Sequence, residues 1–306
     1  MSMAVIQAVG KAPYDNENLL RHLRNIFPDK DISGAKLARI GGMSNKNFKV
    51  ELDNRSYVLR VPGNGSEGMV ERTDEEYNAR AACRMGINPP IRYFDASTGV
   101  KLADFIENAE TLTAATVQRH DNMRKIAHIY RTVHGSRIRL RNEFNIFREI
   151  EKYDKLMERA GAVMYEGWED VRPRVMALEE RLNVLGVDLK PCHNDALYEN
   201  FIKAPDGTMY LIDWEYSGMN DPMADFAALF IEAGFEKENE DYILAEYFGG
   251  DVPADAREKI LCYQILWDYL WAQWTVIKES KGDDFGTYGQ DRFNRAIENL
   301  NILDLR

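Results

Sequence analysis

The chain has 306 residues, 45% of them hydrophobic, and a formal charge of −11 from 39 basic and 50 acidic side chains. That length and apolar content support one large domain or two modest ones, and 5 Trp, 15 Tyr and 13 Phe argue against disorder. The acidic balance, without a basic stripe, argues against a general nucleic-acid binder and suits a cationic ligand. Cys83, Cys192 and Cys262 are few, odd in number and far apart, so no disulfide framework is expected and a reducing compartment fits. The start MSMAVIQAVGKAPYDNENLL has no charged n-region followed by a long apolar core, and no run approaches the ~20 apolar residues of a membrane span. These features lead us to expect a soluble cytoplasmic enzyme.

Taken in chain order, YDNENLLRHLRNIF has Leu19, Leu20, Leu23, Ile26 and Phe27 near helical spacing and predicts an amphipathic helix. AKLARI, NFKVEL and SYVLRVP predict three short strands, separated by turns at Gly41–Asn45 and Asp53–Arg55. Residues 73–85 read as a helix, opened by Thr73-x-x-Glu76 in capping-box form and closed by Gly86. PIRYFDASTGVKLADFIE gives two more strands around Ser97-Thr98-Gly99. After about residue 109 helical patterns dominate, at 111–134, 142–160 and 168–185, then 222–234, 238–248, 254–280 and 288–300. A strand–turn–strand pair at 200–213, around Pro205-Asp206-Gly207, interrupts them. The expected fold is α+β and bilobal, like a protein kinase. Residues 1–108 form a small β-rich lobe with one main helix, and 109–306 form a larger helical lobe.

Several chemistries can be set aside. GNGSEG at 63–68 matches G-x-G-x-x-G, but Pro62 precedes it and more strand pairing follows in place of a βαβ unit. There is no G-x-x-x-x-G-K-[ST] and no G-x-S-x-G. Cys192 and His193 are adjacent and lack a second pair at zinc spacing. A Cys192 nucleophile would need a separate histidine base, and nothing in the sequence aims one at it. A small buried cysteine is the better reading.

The remaining pattern is His193-x-Asp195 followed by Asn200, then Asp213 at the end of the apolar run MYLI. Protein kinases use H-R-D-x-x-x-x-N, in which Asp accepts the substrate hydroxyl proton and Asn holds magnesium, and they place a second magnesium aspartate downstream. A short hairpin between Asn200 and Asp213 would bring their oxygens beside Asp195, as a hard cation requires. On this reading Asp195 is the catalytic residue and Asn200 and Asp213 are metal ligands.

At these residues the chain resembles the choline/ethanolamine kinase family, within the aminoglycoside-phosphotransferase-like kinases, with the bacterial choline kinase branch nearest. HNDALYENFI and LIDWEYSGMNDPMADFAALFIE carry the resemblance most strongly. It extends from about Leu37 to Phe293. It implies ATP- and Mg2+-dependent phosphorylation of a small amino alcohol, choline first. It also implies a phosphate-facing loop in GGMSNKNFKV, with Gly42, Ser44 and Asn45 as contacts, and Arg60 in the place of the protein-kinase strand lysine. Glu76 would pair with Arg60, and the backbone around Phe105 and Ile106 would meet adenine. For the amine end it implies Trp271, Trp274 and Tyr288 as cage residues, with Glu215, Tyr216 and Glu232 as further substrate contacts. A cage of this kind holds a quaternary ammonium by cation–π attraction. Trp267, Trp271 and Trp274 also fit a buried helix stripe, and Trp267 is expected in the core. Three alternatives stand beside this reading: a sibling kinase acting on ethanolamine, an aminoglycoside or another metabolite; a protein kinase, disfavoured by the lack of an A-P-E segment; and a non-catalytic nucleotide- or amine-binding module.

Overall fold

In the computed structural model, which describes residues 16–42, 45–63 and 68–305, the N-terminal region is a five-stranded antiparallel sheet. Its strands are β1 (Lys36–Gly41), β2 (Asn45–Leu52), β3 (Arg55–Pro62), β4 (Ile91–Asp95) and β5 (Val100–Asp104), in the spatial order β1-β2-β3-β5-β4. The β2–β3 turn is tight because Asp53 and Asn54 both take positive φ, 52° and 59°, the combination that matches the twist of a hairpin. Alternation along β2 and β3 aims Phe48, Val50, Leu52, Tyr57 and Leu59 at one face. Helix α1 (Asn16–Ile26) covers that face with Leu19 and Leu23. Arg60, next to Leu59, therefore lies on the opposite face and is buried there, beside helix α2 (Arg72–Arg84).

The rest of the chain is mostly helical: α3 (His120–His134), α4 (Ile146–Ala160), α5 (Trp168–Leu185), α6 (Pro222–Ala233), α7 (Lys237–Phe248), α8 (Ala256–Glu279) and α9 (Tyr288–Asp304). Helix α8 is buried almost throughout and packs against α4, α6 and α9. Its apolar residues face all round because it is the centre of a helical core. Among the described residues no helix is long and apolar enough to cross a membrane. Two small sheets sit on this core. β6 (Glu110–Thr111), β8 (Phe201–Lys203) and β9 (Met209–Leu211) form one, and β7 (Lys190–Cys192) pairs antiparallel with β10 (Gly218–Asn220) to form the other.

The element pattern agrees with the sequence reading along most of the chain, with specific corrections. The helix expected from 111 begins at His120. Residues 110–111 instead pair with β8, and Thr113 and Thr116 close a turn through their hydroxyls. The helix expected from 142 begins at Ile146, where the Asn145 side chain caps the Phe147 and Arg148 amides. The last helix runs on to Asp304. The capping box at Thr73 is not made: Glu71 is the N-cap residue of α2, without a side-chain cap bond. Ser44 and residues 64–67 of the GNGSEG segment lie outside the described residues.

Candidate active site

The loop after β7 carries His193, Asn194 and Asp195, and a single 3-10 turn (Tyr198–Asn200) returns the chain to β8. This loop is anchored from below by Asp225 of α6. Its carboxylate accepts from the His193 amide (2.9 Å), the Asn194 amide (2.6 Å) and His134 Nε2 (3.0 Å). Asn194 takes φ 64° and ties across to Tyr216 O and Asn220. His193 Nε2 donates to Ile212 O at 2.8 Å, so it bridges the loop to the strand that leads to Asp213. Burial holds its imidazole below the ordinary value, which keeps it neutral and in that donor role. Asn200 donates its amide to Asp195 O (2.9 Å), which leaves its oxygen for a cation. Ile212 N donates to Asn200 O at 2.9 Å, so the β8–β9 hairpin brings Asp213 back beside the loop.

Asp213 takes φ 67°, a left-handed conformation that Asp tolerates better than most residues. Arg60 Nη1 approaches it at 3.4 Å. The main partner of Arg60 is Glu75, which accepts from both guanidinium nitrogens, one of them at 2.9 Å. This corrects the expected Arg60–Glu76 pair. Neighbouring helix residues point about 100° apart. Glu75 is fully buried toward Arg60, while the Glu76 side chain is 29% exposed and pairs with Arg80 one turn on. Glu75 also accepts from Arg72 (2.7 Å) and Lys101 (3.3 Å). Lys101 lies directly opposite Arg60 in the β3–β5 register, a like-charge juxtaposition that the shared carboxylate compensates. Burial pushes the Glu75 carboxyl up, but the three cations outweigh it and hold it at about 2.

Glu215, expected among the substrate contacts, turns to the phosphate side. It accepts from Asn45 (2.9 Å) and Arg72 (2.8 Å) and lies 3.8 Å from Arg60. Arg72 was missed in the sequence because an arginine opening a helix reads as an ordinary surface cation. Gly42 takes φ 104°, and a Cβ there would fall 2.0 Å from Asn45 O. The tight turn into β2 therefore requires glycine at that position. In the segment after β5, Phe105 N already donates to Ser56 O, and Lys49 lies 4.5 Å over the Phe105 ring. Of the two expected adenine-facing amides, the Phe105 N–H is therefore already taken by Ser56 O.

Burial pushes the Asp195 carboxyl well above its ordinary range, and the charges of Asp213, Glu215 and Glu232 add to the push. This concentration of hard oxygen donors calls for added positive charge, and its donor set of carboxylates and an amide oxygen fits Mg2+. Cys192 is fully buried, and burial pushes its thiol up, which argues against a thiolate nucleophile. It lies with His134 and Asp225 in a buried trio within 4.8 Å. Each member is already hydrogen-bonded, Cys192 to Asn220 O and His134 to Tyr247 and Asp225, so the trio acts as the loop's anchor.

From Tyr216, directly after Glu215, an aromatic wall extends to Phe285. Tyr216 meets Trp271 edge-on at 5.2 Å, Trp271 meets Trp274 at 6.2 Å, and Trp274 meets Phe285 at 4.9 Å. Trp267 is the core member, with no exposure and its Nε1 donating to Ala224 O, whereas Trp271 and Trp274 keep 8% and 7% exposure. Tyr288 lies under the Arg292 guanidinium at 4.6 Å, and Arg292 pairs with Glu232. A groove of about 580 Å³ between α5, α8 and α9 shares no residue with this site.

A β-rich lobe supplying buried cations and a helical lobe supplying Asp195, Asn200 and Asp213 define a bilobal, protein-kinase-like small-molecule kinase. The chain belongs to the choline/ethanolamine kinase family, whose model matches residues 38–247. It is 31% identical over 271 residues to Protein LicA of Haemophilus influenzae, covering 86% of this chain and 79% of that protein. Its structure is similar to that of the choline kinase LicA from Streptococcus pneumoniae, with a TM-score of 0.83, 39% identity and coverage of 93% and 99% of the two chains. A structure of LicA in complex with AMP matches with a TM-score of 0.80 and 38% identity, over 92% of this chain and 98% of that one.

Proposed function

We propose that this protein transfers the γ-phosphoryl group of ATP to the hydroxyl of choline, giving phosphocholine and ADP. One observation carries the reading. Within four residues the chain passes from Asp213, beside Arg60, to Tyr216, which packs on Trp271. This supports a site in which a phosphate end and an aromatic amine end meet beside Asp195, whose carboxyl feels the charges of Asp213 and Glu232.

Asp195 accepts the hydroxyl proton as the substrate oxygen bonds to the γ-phosphorus and the bond from that phosphorus to the β–γ bridging oxygen breaks. Asn200 and Asp213 are the residues that would hold Mg2+, with Glu215 beside them. Bound there, the ion would neutralise charge on the phosphates. Arg60, set by Glu75, and the groups of Gly42 and Asn45 bind phosphate oxygens, with Ser44 expected to join them. Ile106 and the Phe105 carbonyl face the adenine. Tyr216, Trp271, Trp274 and Phe285 surround the cationic head, so that catalysis rests on positioning and charge stabilisation. The pairing of β6 with β8 supports a lobe boundary at 108/109. A cytoplasmic location suits the ATP requirement and three free cysteines.

The test is an ADP-release assay with choline, ethanolamine, aminoglycosides and methylthioribose. Choline is expected to give the highest kcat/KM, and silence with both amino alcohols would overturn the assignment. A binding module without chemistry is rejected if turnover disappears in Asp195→Ala while nucleotide binding persists.

A further inference from the structure

We propose that Arg292 sets which amine head the site accepts, by neutralising Glu232 so that the substrate's cation is met by aromatic faces and not by a free anionic acceptor. The inference rests on the amino-alcohol kinase reading.

Glu232 sits at the end of α6, close enough to Asp195 that its charge raises that carboxyl. Alone it would be the obvious anion for an ammonium group. It is not alone, because Arg292 of α9 pairs with it directly. The same guanidinium donates to Asp268 of α8 at 3.0 Å and lies over the Tyr288 ring at 4.6 Å. Its side chain is 4% exposed, and it is fixed from three elements at once. Asp268 has its own second cation, Arg295, which donates to both its oxygens at 2.7 and 2.6 Å. Two carboxylates and two guanidinium groups thus form a balanced cluster behind the aromatic wall. Among the described residues Asp268 is paired with two cations, whereas Glu232 is paired with Arg292 alone.

This arrangement treats two amine heads differently. A primary ammonium brings three N–H donors, and each must find an acceptor when it leaves water. A trimethylammonium has no donor and spreads its charge over methyl groups, which aromatic faces accommodate. Glu232 keeps unused lone pairs, but with its charge offset by Arg292 it compensates a buried ammonium poorly. The geometry therefore favours the quaternary head. Removing Arg292 would free the Glu232 charge toward the site while Asp268 stays paired with Arg295.

The experiment compares kcat/KM for choline and ethanolamine in the wild type, in Arg292→Gln and in the double variant Arg292→Gln/Glu232→Gln. The wild type is expected to prefer choline. Arg292→Gln should lower the choline-to-ethanolamine ratio about tenfold, equivalent to about 1.4 kcal/mol. The double variant should return the ratio to within about twofold of wild type, since the freed carboxylate is gone. A purely structural role for Arg292 predicts instead that both substrates lose activity in parallel. An unmoved ratio, no return in the double variant, or a wild type that prefers ethanolamine would each overturn the proposal. Should Arg292→Gln fail to give a cooperative melt, Arg292→Met serves: it keeps much of the aliphatic length but carries no charge, so the ratio should again fall about tenfold, and an unmoved ratio again overturns the proposal. A wild type that phosphorylates neither amine would overturn the kinase assignment itself. That outcome is told apart from the others because it appears before any variant is made.

Discussion

Replacing Glu75 with glutamine tests the electrostatic centre of the nucleotide side. Gln keeps the shape of the side chain and mimics the protonated acid, so the loss should approach the free energy that holds Glu75 ionised. The folded-state value of about 2 lies below the ordinary 4.5. Converted at 1.36 kcal/mol per pH unit, that difference is worth about 3 kcal/mol. Because the folded-state value is depressed, this stability is fully present above about pH 4.5 and is lost as pH falls toward about 2. Urea unfolding of wild type and Glu75→Gln should therefore differ by about 3 kcal/mol at pH 7 and by about half that at pH 3. Glu76→Gln, one residue along and paired with Arg80 near the surface, should cost less than about 1 kcal/mol. The reasoning fails if the two variants are equally stable, or if the gap for Glu75→Gln is as large at pH 3 as at pH 7.

Further outcomes follow from the same geometry. Cys192→Ala should keep kcat within about threefold of wild type, because a buried protonated thiol takes no part in the chemistry; a fall beyond about a hundredfold in turnover assays would restore the nucleophile reading. Asp225→Asn puts an amide donor among three donors, and should cost about 3–5 kcal/mol in urea unfolding and lower kcat by about a hundredfold as Asp195 shifts. Retained kcat would show that Asp195 is held by other contacts. Trp267→Ala should cost about 3–5 kcal/mol of stability, as expected for a buried core residue. Trp271→Ala should instead raise the KM for choline by about tenfold or more; an unchanged KM would remove Trp271 from the cage.

Much of this site could be read from local sequence because its parts lie close in the chain. His193 to Asn200 is a single loop, and a hairpin of 13 residues brings Asp213 back to it, so spacing alone predicts the meeting. The misassigned partner of Arg60 marks where that legibility stops. Choosing Glu75 over Glu76 requires the rotational phase of α2, and RTDEEYNAR offers a carboxylate at both positions. Strands β6, β7 and β10 were not expected because two or three residues carry no detectable alternation. Their existence depends on partners such as Cys192 and Gly218, 26 residues apart. The loop's anchor had the same difficulty, since His134 and Asp225 are 91 residues apart. Arg292, Arg295 and Asp268 were not singled out in the sequence, and only the packing of α9 on α8 reveals that Arg292 and Asp268 are buried.

The most direct test of the central claim is 31P NMR of a reaction containing ATP, Mg2+ and choline, run with wild-type protein and with Asp195→Asn. A phosphocholine resonance should grow with wild type, in step with loss of the ATP γ-phosphate signal. Its rate should fall by about 10²–10⁴ in the variant, which keeps the shape of Asp195 but cannot accept the proton. Phosphocholine forming equally fast in Asp195→Asn, or none forming with wild type, would contradict the account.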